Sequence, residues 1–170
     1  MSGGEEYVRR ADELVCGLEE HFRRYTVSCE RQREAGGVGD NFLRMFRHWI
    51  SYNAKRVEPM HADFLEELQK QVNALSAALT ELEEIDPRAC RRLAARAVSL
   101  LMAPQPEGVK SDCQWYLLVA EYQCGPLFSH LSREDLEYWR DEMLRRTPRR
   151  MMYPKQLELL QTAEKLLEQK

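Results

Sequence analysis

The feature that most constrains this chain is a heptad repeat of apolar residues near its beginning. Spacings that alternate between three and four place the side chains on one stripe of an α-helix. The first stripe consists of Val8, Ala11, Val15, Leu18, Phe22, Tyr25 and Cys29. A second stripe consists of His61, Leu65, Leu68, Val72, Leu75, Leu79 and Leu82. Such stripes are typical of helices that pack side by side, so we predict two long helices in an antiparallel hairpin.

Glycine, proline and capping residues indicate where the other helices begin and end. Gly36-Gly37-Val38-Gly39 ends the first helix, and Pro59 and Pro87 fit the first turns of two others. The longer predicted helices span about 5–33, 59–84, 87–102, 133–146 and 154–167. Two shorter ones begin after Asp40 and after Ser111 or Asp112, the latter broken by Gly125-Pro126. No alternating strand pattern occurs, so the predicted fold class is an all-α bundle of six or seven helices.

The length of 170 residues and the apolar fraction of 44% predict one domain over 1–170 with a real core. The segment 103–111, rich in proline and glycine, is the alternative place for a sub-boundary. No run of about 18 apolar residues is present, so no membrane span is expected. The five cysteines are scattered and form no C-x-x-C motif, and no secretory signal is visible. We therefore predict a reducing, cytoplasmic location.

The motifs of catalysis are absent from the sequence. It contains no glycine loop for nucleotides and no G-x-S-x-G nucleophile motif. No cysteine stands beside a histidine and an orienting group. We therefore expect no enzymatic activity, no catalytic or cofactor-binding residues, no cofactor and no small-molecule substrate.

Two histidines are the candidates for metal binding or phosphotransfer. Glu58-x-x-His61 is half of the motif that holds two metals in some four-helix bundles, but the second half is missing. We expect His61 to be a seam residue and predict no metal ligands. His48 lies among large apolar residues, which favours a structural role over an exposed phosphate acceptor. A histidine phosphotransfer or metal-binding bundle remains an alternative function.

Charge is distributed unevenly along the chain. Residues 58–86 carry eight acids and one lysine, whereas 87–102 carry four arginines and no acid. Residues 145–155 also carry cations without an acid. These charges could neutralise one another within the molecule, steer a charged partner protein, or bind phosphates with Tyr153 stacking on a base.

The predicted function is a non-catalytic helical adaptor, assembly factor or regulatory subunit that acts through protein–protein contacts. Its predicted contact surface, here called the basic strip, consists of Arg145, Arg146, Arg149, Arg150, Tyr153 and Lys155. The acidic face of the helix over 59–84 is the second choice. The partner would be another protein or, since the first helix is about 43 Å long, a second copy in a homodimer. The main alternative is a nucleic-acid-associated accessory protein that contacts phosphates through the same arginines.

Overall fold

A computed structural model describes residues 3–34, 59–103 and 118–170, apart from the side chains of 26, 28–34 and 59–62. These ranges contain no strand, so the predicted all-α class is confirmed. Six α-helices lie wholly within them: α1 Gly3–Glu34, α2 Pro59–Ile85, α3 Pro87–Leu101, α4 Gly125–Phe128, α5 Arg133–Arg146 and α6 Pro154–Gln169. Residues 118–121 are also helical. Tyr122–Cys124 and Arg149–Met151 form short 3-10 helices. The helix predicted after Asp40 and most of the 103–111 segment lie outside the described residues, so the single-domain assignment stays a prediction.

Helices α1 and α2 pack along their heptad stripes in opposite directions. Arg10 near the start of α1 pairs with Glu81 near the end of α2, and His21 Nε2 donates to the Phe64 carbonyl at 3.0 Å. Most of the predicted stripe is buried, from Ala11 to Tyr25 and from Leu68 to Leu82. Phe64 is buried near the start of α2, while Leu65 is only partly covered. This shift arises because a straight helix drifts by about 20° per heptad relative to a perfect seven-residue repeat.

Helix α3 covers the α1–α2 pair with its apolar face. Its start is fixed by Asp86, whose carboxylate accepts from the Ala89 N–H at 3.0 Å, and by Pro87 in the first turn. The opposite face carries arginines, and Arg96 reaches back to α1, where it donates to Asp12 at 2.8 Å and to Glu19 at 2.6 Å. Part of the basic charge of α3 is therefore neutralised within the molecule.

The carboxyl-terminal helices join the same core. Leu127 and Phe128 of α4 are fully buried, and α4 contacts α2, α3 and α6. The helix over 118–121 ends before Gly125-Pro126, as predicted, and Pro126 lies in the first turn of α4, where proline is tolerated. Helices α5 and α6 pack against each other, and Ser132 caps α5 by accepting from the Asp135 N–H at 3.1 Å. Within the described parts of the chain, no helix has the length and apolarity needed to cross a membrane.

Candidate functional site

A pocket of about 350 Å³ opens between α5, α6, the end of α3 and the segment 118–122. We call it the α5–α6 pocket. Its apolar lining is rich in methionine and consists of Met102, Leu118, Met143, Met152 and Leu159. Thioether side chains are unbranched and polarisable, so such a lining adapts to apolar groups of different shapes. Pockets of this size with a few polar groups are the usual form of a ligand or side-chain binding site.

Two adjacent polar residues, Glu121 and Tyr122, enter the lining from the segment before α4. The Glu121 side chain is only 17% exposed, and burial raises the pKa of its carboxyl to about 7, although Arg146 at 3.9 Å lowers it. The Tyr122 hydroxyl is buried and has no hydrogen-bond partner among the described residues. Burial also raises the pKa of Tyr122, and the charge of Glu121 raises it further. The pocket lining therefore includes a weakly acidic carboxyl, whereas the hydroxyl of the adjacent Tyr122 is buried.

Two arginines of the basic strip, Arg145 and Arg146, line the same pocket in different ways. Arg146 is half-buried, donates Nη1 to the Met102 carbonyl at 2.6 Å and lies over the Trp139 ring. Arg145 is 71% exposed and stands at the rim. Both donate to Glu142, and these hydrogen bonds lower the pKa of that carboxyl to about 2. Arg146 is thus a fixed wall of the pocket, whereas Arg145 presents its charge to solvent.

The other cations of the basic strip lie beside carboxylates, except for one. Arg149 pairs with Glu164 of α6, and Lys155 donates to Glu158 at 3.0 Å. Arg150 is exposed and forms no ion pair with any part of the chain that the structure describes. Tyr153 is exposed at the start of α6. Since four of the five cations have an internal partner, the positive charge of this surface is weaker than the sequence run predicts. That the basic strip binds a partner stays a prediction.

The two histidines considered for chemistry are not among the described side chains. His48 lies in the 35–58 gap, and of His61 only the helical backbone is described. A role for either residue in phosphotransfer or metal binding therefore stays untested.

A different histidine, His130, takes part in a second polar cluster, which joins α2, α3 and the turn before α5. His130 is 5% exposed, and its Nδ1 lies 3.0 Å from a Glu83 carboxylate oxygen. The Cys90 Sγ, fully buried beside them, donates to the Leu79 carbonyl at 3.3 Å. Burial raises the pKa of the Cys90 thiol to about 11, and the Glu83 charge adds to this. One atom able to bind a metal, from each of Glu83, Cys90 and His130, lies within 4.8 Å of the other two such atoms.

The sequence analysis overlooked both groups of residues. Glu121 carried one signal, since a single acid directly after the apolar run Trp115–Ala120 is a candidate for burial. The cluster of Glu83, Cys90 and His130 carried no such signal, because forty residues separate Cys90 from His130 and no motif spans that distance. The chain matches no protein-family model, no curated protein and no solved structure. Its function is therefore argued from this geometry.

Proposed function

We propose that the protein is a non-catalytic helical adaptor or regulatory subunit that binds an apolar, acidic segment of another protein in the α5–α6 pocket. One observation carries this proposal: an adaptable apolar pocket lies directly beside the exposed guanidinium of Arg145. Arginine, tyrosine and methionine are enriched where proteins bind one another, and large side chains in desolvated pockets supply most of the binding free energy.

The charges around the pocket favour an acidic partner. Arg145 at the rim and the unpaired Arg150 nearby in the chain would attract a carboxylate and repel a cation. Glu121 offers little opposition below about pH 7, where its carboxyl is protonated and neutral. We therefore expect a large apolar side chain in the pocket and an Asp or Glu next to it in the partner.

The pairing of the basic strip gives less support to nucleic acid as the partner. Glu142, Glu158 and Glu164 offset the charge of the cations that they contact, so the basic strip offers a chain of phosphates little net positive charge. Phosphate binding draws its affinity from free cations that release counterions, and only Arg150 meets that description among the described residues of the basic strip. Nucleic-acid binding is kept as an outcome of the test below.

The experiment selects peptides on the full chain from a random phage-displayed library and measures the affinities of synthetic copies by fluorescence anisotropy. We expect the selected peptides to combine a large apolar residue with a neighbouring Asp or Glu. Met152→Glu, inside the pocket, and Arg145→Glu, at its rim, should each weaken binding about tenfold or more, which corresponds to about 1.4 kcal/mol. Two matched controls should leave the affinity unchanged: Met151→Glu, at a residue 66% exposed beside the pocket, and Arg88→Glu, on α3.

Three results would overturn the proposal. The first is a selection with no preference for acidic, apolar peptides. The second is an equal loss of affinity in the Met151 and Met152 variants, which would place the contact outside the pocket. The third is tight binding of single-stranded oligonucleotides with a steep salt dependence, which would favour the nucleic-acid alternative. A dimer mass in light scattering that Met152→Glu reduces to the monomer would instead make a second copy the occupant.

A further inference from the structure

We propose that Glu83, Cys90 and His130 form a binding site for one zinc-like transition-metal ion. The ligand atoms would be a Glu83 carboxylate oxygen, the Cys90 Sγ and the His130 Nδ1. This site is separate from the α5–α6 pocket and does not depend on the function proposed for it.

The geometry is close to what a metal requires. Zinc bonds are about 2.3 Å to sulfur and about 2.0–2.2 Å to nitrogen or oxygen, so tetrahedral ligand atoms lie roughly 3.3–3.6 Å apart. The three donor atoms already lie within 4.8 Å of one another. Glu83 is 47% exposed, so its carboxylate has room to make the remaining shift of about 1 Å. Cys90 and His130 are held in place by the core.

The surroundings hold these ligands on well-defined backbone. Cys90 lies in the first turn of α3, which the Asp86 cap and Pro87 fix. His130 lies in the turn after α4, and the Lys170 ammonium donates to the carbonyls of Ser129 and Leu131 on either side of it. The hydrogen bond between His130 and Glu83 does not require a thiol nearby. We infer a metal site because the Cys90 thiol also lies beside this pair.

The donor set selects the class of metal. Calcium and magnesium prefer oxygen ligands alone, whereas a thiolate, an imidazole and a carboxylate together suit zinc or cobalt. On binding, the Cys90 S–H bond breaks, the sulfur–metal bond forms with the electron pair left on sulfur, and the proton passes to solvent. The thiol also gives up its hydrogen bond to the Leu79 carbonyl. The His130 Nδ1 gives up to solvent the proton that it shares with Glu83, its lone pair binds the metal, and in the bound state the ring proton resides on Nε2. Nothing is oxidised or reduced, and three protein ligands leave a fourth position for water.

Cobalt(II) is the probe, added to the reduced full chain, because a cobalt–thiolate bond absorbs in the near ultraviolet and four-coordinate cobalt absorbs in the visible. We expect one Co²⁺ per chain, displaced by one Zn²⁺, and a rise in the unfolding temperature with either metal. Cys90→Ser should abolish the near-ultraviolet band. The matched control Cys124→Ser, also at a buried free thiol, should keep it.

Glu83→Gln provides a variant whose fold is not at risk, because the side chain is half-exposed. We expect it to weaken cobalt binding at least tenfold, whereas Glu84→Gln, at the exposed neighbouring acid, should leave the affinity unchanged. Circular dichroism confirms that each variant is folded. The proposal is wrong if the folded wild-type chain shows no cobalt–thiolate band, if the band is lost in Cys124→Ser, or if Glu83→Gln binds cobalt with undiminished affinity.

Discussion

Replacing Glu121 by glutamine should stabilise the folded protein at neutral and alkaline pH and have little effect in acid. Burial holds the pKa of this carboxyl at about 7 in the folded state, against an ordinary value of 4.5. Between these values the folded state keeps a proton that the unfolded state has released. The free energy of unfolding therefore falls as the pH rises through this interval, and the loss is complete above about pH 7.

The magnitude follows from the size of the shift. One pKa unit corresponds to about 1.4 kcal/mol, so a shift from 4.5 to about 7 costs the folded protein about 3 kcal/mol at alkaline pH. Glutamine has nearly the same shape and does not titrate. Glu121→Gln should recover up to about 3 kcal/mol at about pH 8, and this gain should shrink towards zero as the pH falls to 4.5.

Urea unfolding followed by circular dichroism, repeated between about pH 5 and about pH 8, measures this difference. Glu142→Gln is a matched control of opposite sign, since Glu142 accepts a hydrogen bond from the same Arg146 at 3.0 Å. Its arginine hydrogen bonds lower its pKa to about 2, so its carboxylate stabilises the fold above its ordinary pKa of 4.5, and this stabilisation is lost as the pH falls towards 2. Glu142→Gln should destabilise the protein at neutral pH, less so in acid.

The reasoning would be refuted if Glu121→Gln lowered the free energy of unfolding at pH 8, or if its effect did not change with pH. Either result would mean that the folded protein holds the ionised carboxylate at least as well as water does. The pair with Arg146, at 3.9 Å, would then outweigh burial.

Two further predictions concern the helices that carry the sites. Leu75→Ala removes a fully buried seam side chain of α2 and should lower the free energy of unfolding by about 2–5 kcal/mol in urea titrations; Asn73→Ala, at an exposed position, should change it by less than about 0.5 kcal/mol. Asp86→Ala removes the cap of α3 and should cost about 1 kcal/mol, whereas Glu84→Ala should cost much less. Equal effects within either pair would show that burial or capping is not the cause.

The helices and their boundaries could be predicted because their causes lie close together in the chain. The heptad spacing marked the buried stripes of α1 and α2, and Asp86 and Ser132 were recognisable as caps. One detail of the stripes differed from the prediction. Phe64 replaces Leu65 at the seam because of the drift of a straight helix.

Some ion pairs of the basic strip could be predicted from the sequence, and others could not. Glu142 precedes Arg145 and Arg146 by three and four residues, the spacing at which side chains on a helix meet, so their pairing was open to prediction. The pair between Arg149 and Glu164 required α6 to pack beside the 149–151 turn, which the spacing of the two residues does not indicate.

The sequence by itself determined that this protein is helical, which faces its long helices bury and where several of them begin. Those properties follow from hydrogen bonds and side-chain spacing within a turn or two of helix. Only the tertiary structure decided that Glu121 and Tyr122 line a pocket with Arg146, and that Glu83 and Cys90 meet His130. Contacts of that kind depend on how helices distant in the chain pack together, and no local pattern of residues records the result.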